Sequence, residues 1–178
     1  MHFKLLSIMA LAGFAAAAPS SPQAFKDLPD GPYKGVNNAD GSSTVTNLET
    51  GQSFDFKAPA PAPAKRSIEK RFTDCWGYEL DHSGVDEAVT SLKNWAGTGQ
   101  DWSSQGTPSY FGYNARGVYV YYCINAPNSA GNIDVQDINY ALGQMDAVCK
   151  RYEASYFRWE GSVEIIGKAR SGTAVCRG

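Results

Sequence analysis

Two Lys-Arg pairs ahead of the first cysteine, Lys65-Arg66 and Lys70-Arg71, and four cysteines, Cys75, Cys123, Cys149 and Cys176, are the residues whose type and spacing carry chemistry in this 178-residue chain. A dibasic pair is itself a substrate, because kexin-like proteases of the secretory pathway cut after it. Every cysteine lies beyond Arg71, so a cut there separates a cysteine-free front piece from a back piece holding all four. An even number of cysteines in an oxidising compartment implies disulfides, here two. A zinc site needs closely spaced ligands, and the gaps of 48, 26 and 27 contain neither a CxxC nor a histidine pair.

Acid–base chemistry has one foothold behind Arg71, His82, flanked by Glu79 and Asp81. A carboxylate that orients an imidazole is two thirds of a Ser-His-Asp device. The sequence has no GxSxG elbow, and this trio also reads as an ordinary strand-to-helix turn. Glu160, Glu164, Glu79 and Asp101 offer carboxylates for glycoside hydrolysis. Nothing in their spacing is diagnostic, and solvated surface acids are the far better explanation. The chain carries no phosphate loop and no metal-binding motif. No catalytic residue is assigned, and the expectation is a protein that is not an enzyme, with no cofactor and no metal.

The front half explains how the basic pairs are presented. Lys4 precedes Leu5 to Ala18, a run that is apolar apart from Ser7. It reads as a secretory signal cut after Ala17, giving residues 1–17 as signal peptide. The run is shorter than the roughly 20 residues a membrane span needs. Residues 18–71 read as a propeptide, mostly disordered, with Val45, Leu48, Phe54 and Phe56 as its few apolar anchors. Ala58-Pro59-Ala60-Pro61-Ala62-Pro63-Ala64 is an alternating tract that fixes φ and removes donors, an extended spacer presenting both pairs to a protease. Secretion to the extracellular space follows.

The back piece, residues 72–178, has one small domain's length. It holds 8 Lys+Arg and 12 Asp+Glu. That acidic balance argues against nucleic acid as a partner and against docking on anionic membranes. No Asn-x-Ser/Thr sequon occurs. Cys75 to Leu80 reads as a strand. Ser83 then caps a helix with Asp86 as its capping partner, and Val85, Val89, Leu92 and Ala96 share one face. Gly97-Thr98-Gly99 stops it, and the loop to Pro108 is polar. Tyr110–Tyr113 and Val118–Ile124 read as a hairpin around Asn114-Ala115-Arg116-Gly117. Asp134 caps a second helix carrying Val135, Ile138, Leu142, Met145 and Cys149 at helical spacing. Ser155–Trp159 and Val163–Ile166 follow as strands around Gly161. The expected fold is α+β: an antiparallel sheet with two helices on one face, a disulfide-tied, ferredoxin-like split βαβ sandwich. That topology sets Cys75 beside Cys123 and favours Cys75–Cys123 with Cys149–Cys176. Closing the termini through Cys75–Cys176 is the rival.

Alternation in the third strand sends Val118, Val120, Tyr122 and Ile124 to one side and Tyr119, Tyr121 and Cys123 to the other. With the first set under the helices, Tyr119 and Tyr121 face outward, and Tyr113, Tyr156 or Trp159 can join them. Tyr119, Tyr121 and Trp159 are thus candidate binding residues for a glycan or a protein. The plainer alternative is that these rings cover the sheet or meet the propeptide.

The run Val118-Tyr119-Val120-Tyr121-Tyr122-Cys123-Ile124-Asn125 leads into Asp134-Val135-Gln136-Asp137-Ile138. Ala141 and Met145 precede Cys149, and Ile166-Gly167-Lys168 precedes Gly172-Thr173-Ala174-Val175-Cys176. Over most of residues 75–176 this resembles small secreted fungal proteins related to the necrosis-inducing effector domain and to smut-fungus killer toxins. The resemblance implies secretion, kexin-type processing, a disulfide-tied α/β sandwich, and action on host or competitor cells. Two departures stand out. Family members commonly open the first helix with an Asp-Cys pair, where this chain has Asp86-Glu87-Ala88, so their disulfide pairing does not carry over. Channel-blocking killer toxins are typically basic, whereas this domain is acidic. The expected function is a proteolytically matured effector or toxin-like virulence protein that binds a host or competitor target. A secreted carbohydrate- or cell-wall-binding module is the alternative, and a small secreted hydrolase the third.

Overall fold

The computed structural model describes residues 28–57 and 72–177. The signal, the Ala-Pro tract and the pairs Lys65-Arg66 and Lys70-Arg71 lie outside those residues. The elements are β1 (Gly31–Asn37), β2 (Ser42–Asn47), β3 (Ser53–Lys57), β4 (Thr73–Glu79), α1 (His82–Ala96), β5 (Gln100–Ser103), β6 (Ser109–Ala115), β7 (Val118–Ile124), β8 (Ala130–Ile133), α2 (Val135–Val148), β9 (Glu153–Arg158) and β10 (Glu164–Arg170). Eight strands make one sheet in the order β3-β2-β1-β6-β7-β10-β9-β4, and β5 pairs with β8 in a second. Every pairing is antiparallel. Among the described residues, no helix is long and apolar enough to cross a membrane.

Local chemistry explains the element ends. Asp81 caps α1, its carboxylate accepting from the Gly84 N–H at 2.7 Å, two residues earlier than the expected Ser83 cap. Gly97, with φ of 54°, ends that helix, a conformation that suits glycine. Asp134 and Asp137 form a reciprocal capping box on α2, with the Asp134 cap as expected. The β6–β7 hairpin turns through Arg116 and Gly117, both with positive φ, as tight hairpin turns require.

Both helices pack on one face of the sheet. Val85, Ala88, Leu92 and Ala96 of α1 and Ile138, Ala141 and Met145 of α2 join Val118, Val120, Tyr122, Ile124 and Ile166 in one core. The alternation expected for β7 holds, because Tyr119, Tyr121 and Cys123 belong to a second core on the opposite face.

Three expectations are corrected. The first concerns topology: a split βαβ arrangement sets the first and third strands of the back piece, β4 and β7, side by side. Instead β9 and β10 form a hairpin, β10 inserts between β7 and β9, and β4 is left at the sheet edge. With a sequence-adjacent antiparallel partner on one side of β9, the remaining place for β4 is the other side.

The second follows from it. Since β4 and β7 are not neighbours, Cys75 pairs with Cys149 and Cys123 with Cys176, each at a Cα–Cα distance of 5.7 Å. All four cysteines are paired, as expected, but in the arrangement that was neither favoured nor the rival. One bond ties the edge strand to the end of α2, and the other ties β7 to the C-terminal tail.

The third concerns the front half. Much of the segment expected to be disordered is β1, β2 and β3, which extend the sheet beyond β6. Tyr33, Val45 and Leu28 are buried in the second core. The hydrophobic period is hard to read because buried positions here are held by Ser43 and Asn47 as well as by Val45. Gly35 lies against the Tyr110 ring, where a Cβ would fall 2.1 Å from a ring carbon.

Candidate functional site

Two-residue periodicity in β4 and β9 builds the most distinctive surface feature. Trp76 follows Cys75, and Tyr156 precedes Arg158 by two. Since β4 pairs with β9, these side chains meet on the face away from the helices. Trp76 and Tyr156 sit edge to face with ring centroids 6.3 Å apart. Tyr78 lies 6.4 Å from Trp76 and packs against the helix-side core, with the Arg170 guanidinium 4.3 Å above its ring, within cation–π range.

Trp76, Tyr121, Tyr156, Arg158, Asn125 and the tail from Ala174 to Arg177 enclose a cleft of about 240 Å³. The Cys123–Cys176 bond pins that tail, so one wall is covalently fixed. Arg158 and Arg177, both exposed, line this cleft in a back piece that is acidic overall. Burial raises the Tyr156 phenol above its ordinary range, and Asp74 adds to the rise while Arg158 opposes it. Tyr156 is therefore a neutral hydrogen-bond donor near neutral pH. Half-covered aromatic rings, a guanidinium and an amide are what a sugar ring or an anionic peptide group needs for recognition.

The three sequence-derived binding residues do not converge. Tyr119 and Tyr121 are 5% and 1% exposed, sealed by Tyr33, Val175 and Cys176. The Tyr119 hydroxyl donates to the Tyr33 carbonyl at 3.3 Å, and the two tyrosine rings stack 5.9 Å apart. They cover the sheet and meet the front segment, the plainer of the two readings. Trp159 lies on the helix-side core against Phe157, with centroids 5.1 Å apart. Tyr113 also packs against that core. Tyr121 contributes to the cleft wall, and Tyr156 joins it there. Trp76, Arg158 and Arg177 went unassigned in the sequence. The signal for Trp76 was a large aromatic next to Cys75 in the first strand of the back piece.

The acid–base candidates fall in two places. Glu79 ends β4 and His82 begins α1, and their Oε1 and Nε2 atoms are 2.6 Å apart on the surface. The imidazole stacks on Tyr152 at 3.8 Å between centroids. The neighbouring acids are engaged, Asp81 as helix cap and Asp86 as acceptor from the Tyr152 hydroxyl. This arrangement closes the junction between β4, α1 and the turn before β9.

Glu164 lies at the opposite end of the sheet from Glu79, since Glu79 pairs with Glu153 whereas Glu164 pairs with Ile124. The Tyr122 hydroxyl donates to the Glu164 carboxylate. Burial raises the Tyr122 phenol, and Glu164, Asp137 and Asp101 add to the rise. The Asp137 carboxyl is raised by burial first, with Asp134 and Glu164 contributing. Asp101 accepts from Asn132 at 2.7 Å. Backbone roofs this cluster, for a Cβ on Gly131 would fall 2.2 Å from Glu164 Oε1. The cluster is a latch holding β8 onto the sheet, and space for a substrate is taken by the strand. Glu160 sits in the β9–β10 turn.

No model of a known protein family matches this chain, and neither a curated protein nor a solved structure matches it.

Proposed function

We propose that this chain is a secreted, proteolytically matured effector or toxin-like protein, not an enzyme, which binds a host or competitor target through the cleft of Trp76, Tyr156 and Arg158. The single observation that carries the reading is that cleft. Trp, Tyr and Arg are the residues that dominate binding energy at protein interfaces, and here they stand together on a disulfide-tied sheet. The two disulfides are compatible with an extracellular protein. The signal-like N-terminus and the two Lys-Arg pairs ahead of Cys75 support export and kexin-like cutting.

The test is a dose–response assay of cell death or growth inhibition on sensitive host or competitor cells. It uses protein cut after Arg71, with Trp76→Ala and Arg158→Ala combined. The double variant should need roughly 30-fold more protein for the same effect, the loss of about one hot spot. Its near-ultraviolet circular dichroism should match the parent. A folded double variant of undiminished potency would remove the cleft from the mechanism.

The runner-up is a carbohydrate-binding module, favoured by the half-covered Trp76 and Tyr156 rings beside Asn125 in one cleft. Retention on chitin or β-glucan beads, abolished by the same double variant, would move the assignment to that reading.

A further inference from the structure

We infer that residues 28–57 are a permanent strand complement of the domain, so that cutting within residues 58–71 yields a two-chain protein rather than a released propeptide. The inference extends the processing reading above. It depends on that reading only for the cut to occur in the producing organism.

The front segment occupies a position that the rest of the sheet requires. β1 pairs with β6 over six residues, from Gly31 opposite Asn114 to Val36 opposite Ser109. Without it β6 becomes a sheet edge, yet six of its seven residues are buried and none is charged. Natural edge strands are shielded by charge, proline or bulges, and β6 shows none of these. The segment also supplies core. Tyr33, Val45 and Leu28 are buried among Tyr110, Tyr119 and Ala169.

Polar contacts clasp the segment from both ends. At the β6–β7 turn, the buried Asn114 amide donates to the Leu28 carbonyl at 2.7 Å, and the Arg116 N–H donates to Asp30 at 2.8 Å. The Leu28 N–H donates to Ser171 Oγ at 3.1 Å. At the far end the Asn37 N–H donates to the Pro108 carbonyl at 3.1 Å, and its amide donates to the Val175 carbonyl at 3.0 Å. Arg177 donates to the Gly41 carbonyl at 3.0 Å. The Val175 carbonyl and the Arg177 guanidinium lie on the tail that the Cys123–Cys176 bond holds in place, so these contacts survive a cut elsewhere. Residues 28–57 contain no cysteine, and only residues 58–71 join them covalently to the back piece. After cleavage the association is therefore entirely non-covalent.

The experiment uses full-length protein carrying Lys150→Gln, which removes the Lys150-Arg151 pair of the back piece, cuts it in vitro with a dibasic-specific protease, then runs native size exclusion and takes the intact mass of each peak. Both pieces should elute together in equal amounts at micromolar concentration and part only in denaturant. β6 amides should keep their slow hydrogen exchange after the cut. Elution of the front piece by itself, or β6 amides that exchange freely after the cut, would overturn the inference and make this segment a shield for the Tyr110 and Tyr119 face. Gly35→Val drives a side chain into the Tyr110 ring and should weaken retention by roughly tenfold or more. Equal retention in a folded Gly35→Val variant would contradict the β1–β6 contact. Masses from the producer's own medium test processing separately. An uncut chain there with co-elution here would remove the processing reading and leave the complement standing. A cut chain there with release here would do the reverse.

Discussion

Lys168 is a charged residue buried for a physical reason. It stands in a strand whose alternate positions face the helix-side core, and it is 1% exposed. Its ammonium donates to Asp146 Oδ1 at 3.1 Å and to the Arg151 carbonyl. The charge thus sits near the C-terminal end of α2, where the helix dipole favours a cation. Removing the ammonium while keeping the stem isolates that contribution. Lys168→Met should lower stability by about 2 kcal/mol, the worth of hydrogen bonds to a charged group. A shift of the urea midpoint with an unchanged slope checks it, and an unchanged midpoint would mean the pair is neutral. Tyr119 and Tyr121 make the complementary point. Their face was legible from alternation alone, but their exposure was not. Whether a sheet face is open depends on segments far away in the chain, here Tyr33 and Val175.

At the scale of elements, helices were more legible than strand neighbours. The capping box at Asp134 and the apolar spacing of Ile138 and Met145 are local properties, written within one or two turns. The partner of β4 is not local. It follows from the β9–β10 hairpin, and the disulfide pairing follows in turn. Cys75–Cys149 and Cys123–Cys176 close loops of 74 and 53 residues, each worth about 4 kcal/mol by restriction of the unfolded chain. Peptide mapping without reduction should recover these two cross-links, and a Cys75–Cys123 peptide would contradict the sheet order. Cys123→Ser with Cys176→Ser should free the tail. That loosens both the cleft wall and the clasp on β1, so this pair should cost more function than Cys75→Ser with Cys149→Ser.

The whole molecule is held by a tyrosine-rich core with an alkaline weakness. Burial holds the Tyr110, Tyr119, Tyr121 and Tyr122 phenols above the ordinary tyrosine value of 10.0 in the folded chain. In the unfolded chain they ionise near that value. Folded pKa values raised above unfolded ones mean stability that is fully present below about pH 10 and is lost as pH rises further. Thermal midpoints should therefore fall steeply above about pH 10. Tyrosinate absorbance from these four should appear together with unfolding. Smooth titration in a chain that stays folded would show that these phenols are open to solvent. By itself the sequence determined the cysteine set, two helices, the central hairpin and the facing of β7, because caps, turns and periodicity act over a few residues. Only the tertiary structure decided the strand order, the disulfide pairing, the covering of Tyr119 and Tyr121 and the place of residues 28–57. Each of those rests on contacts between segments tens of residues apart, whose free energy exists only once the chain has closed on itself.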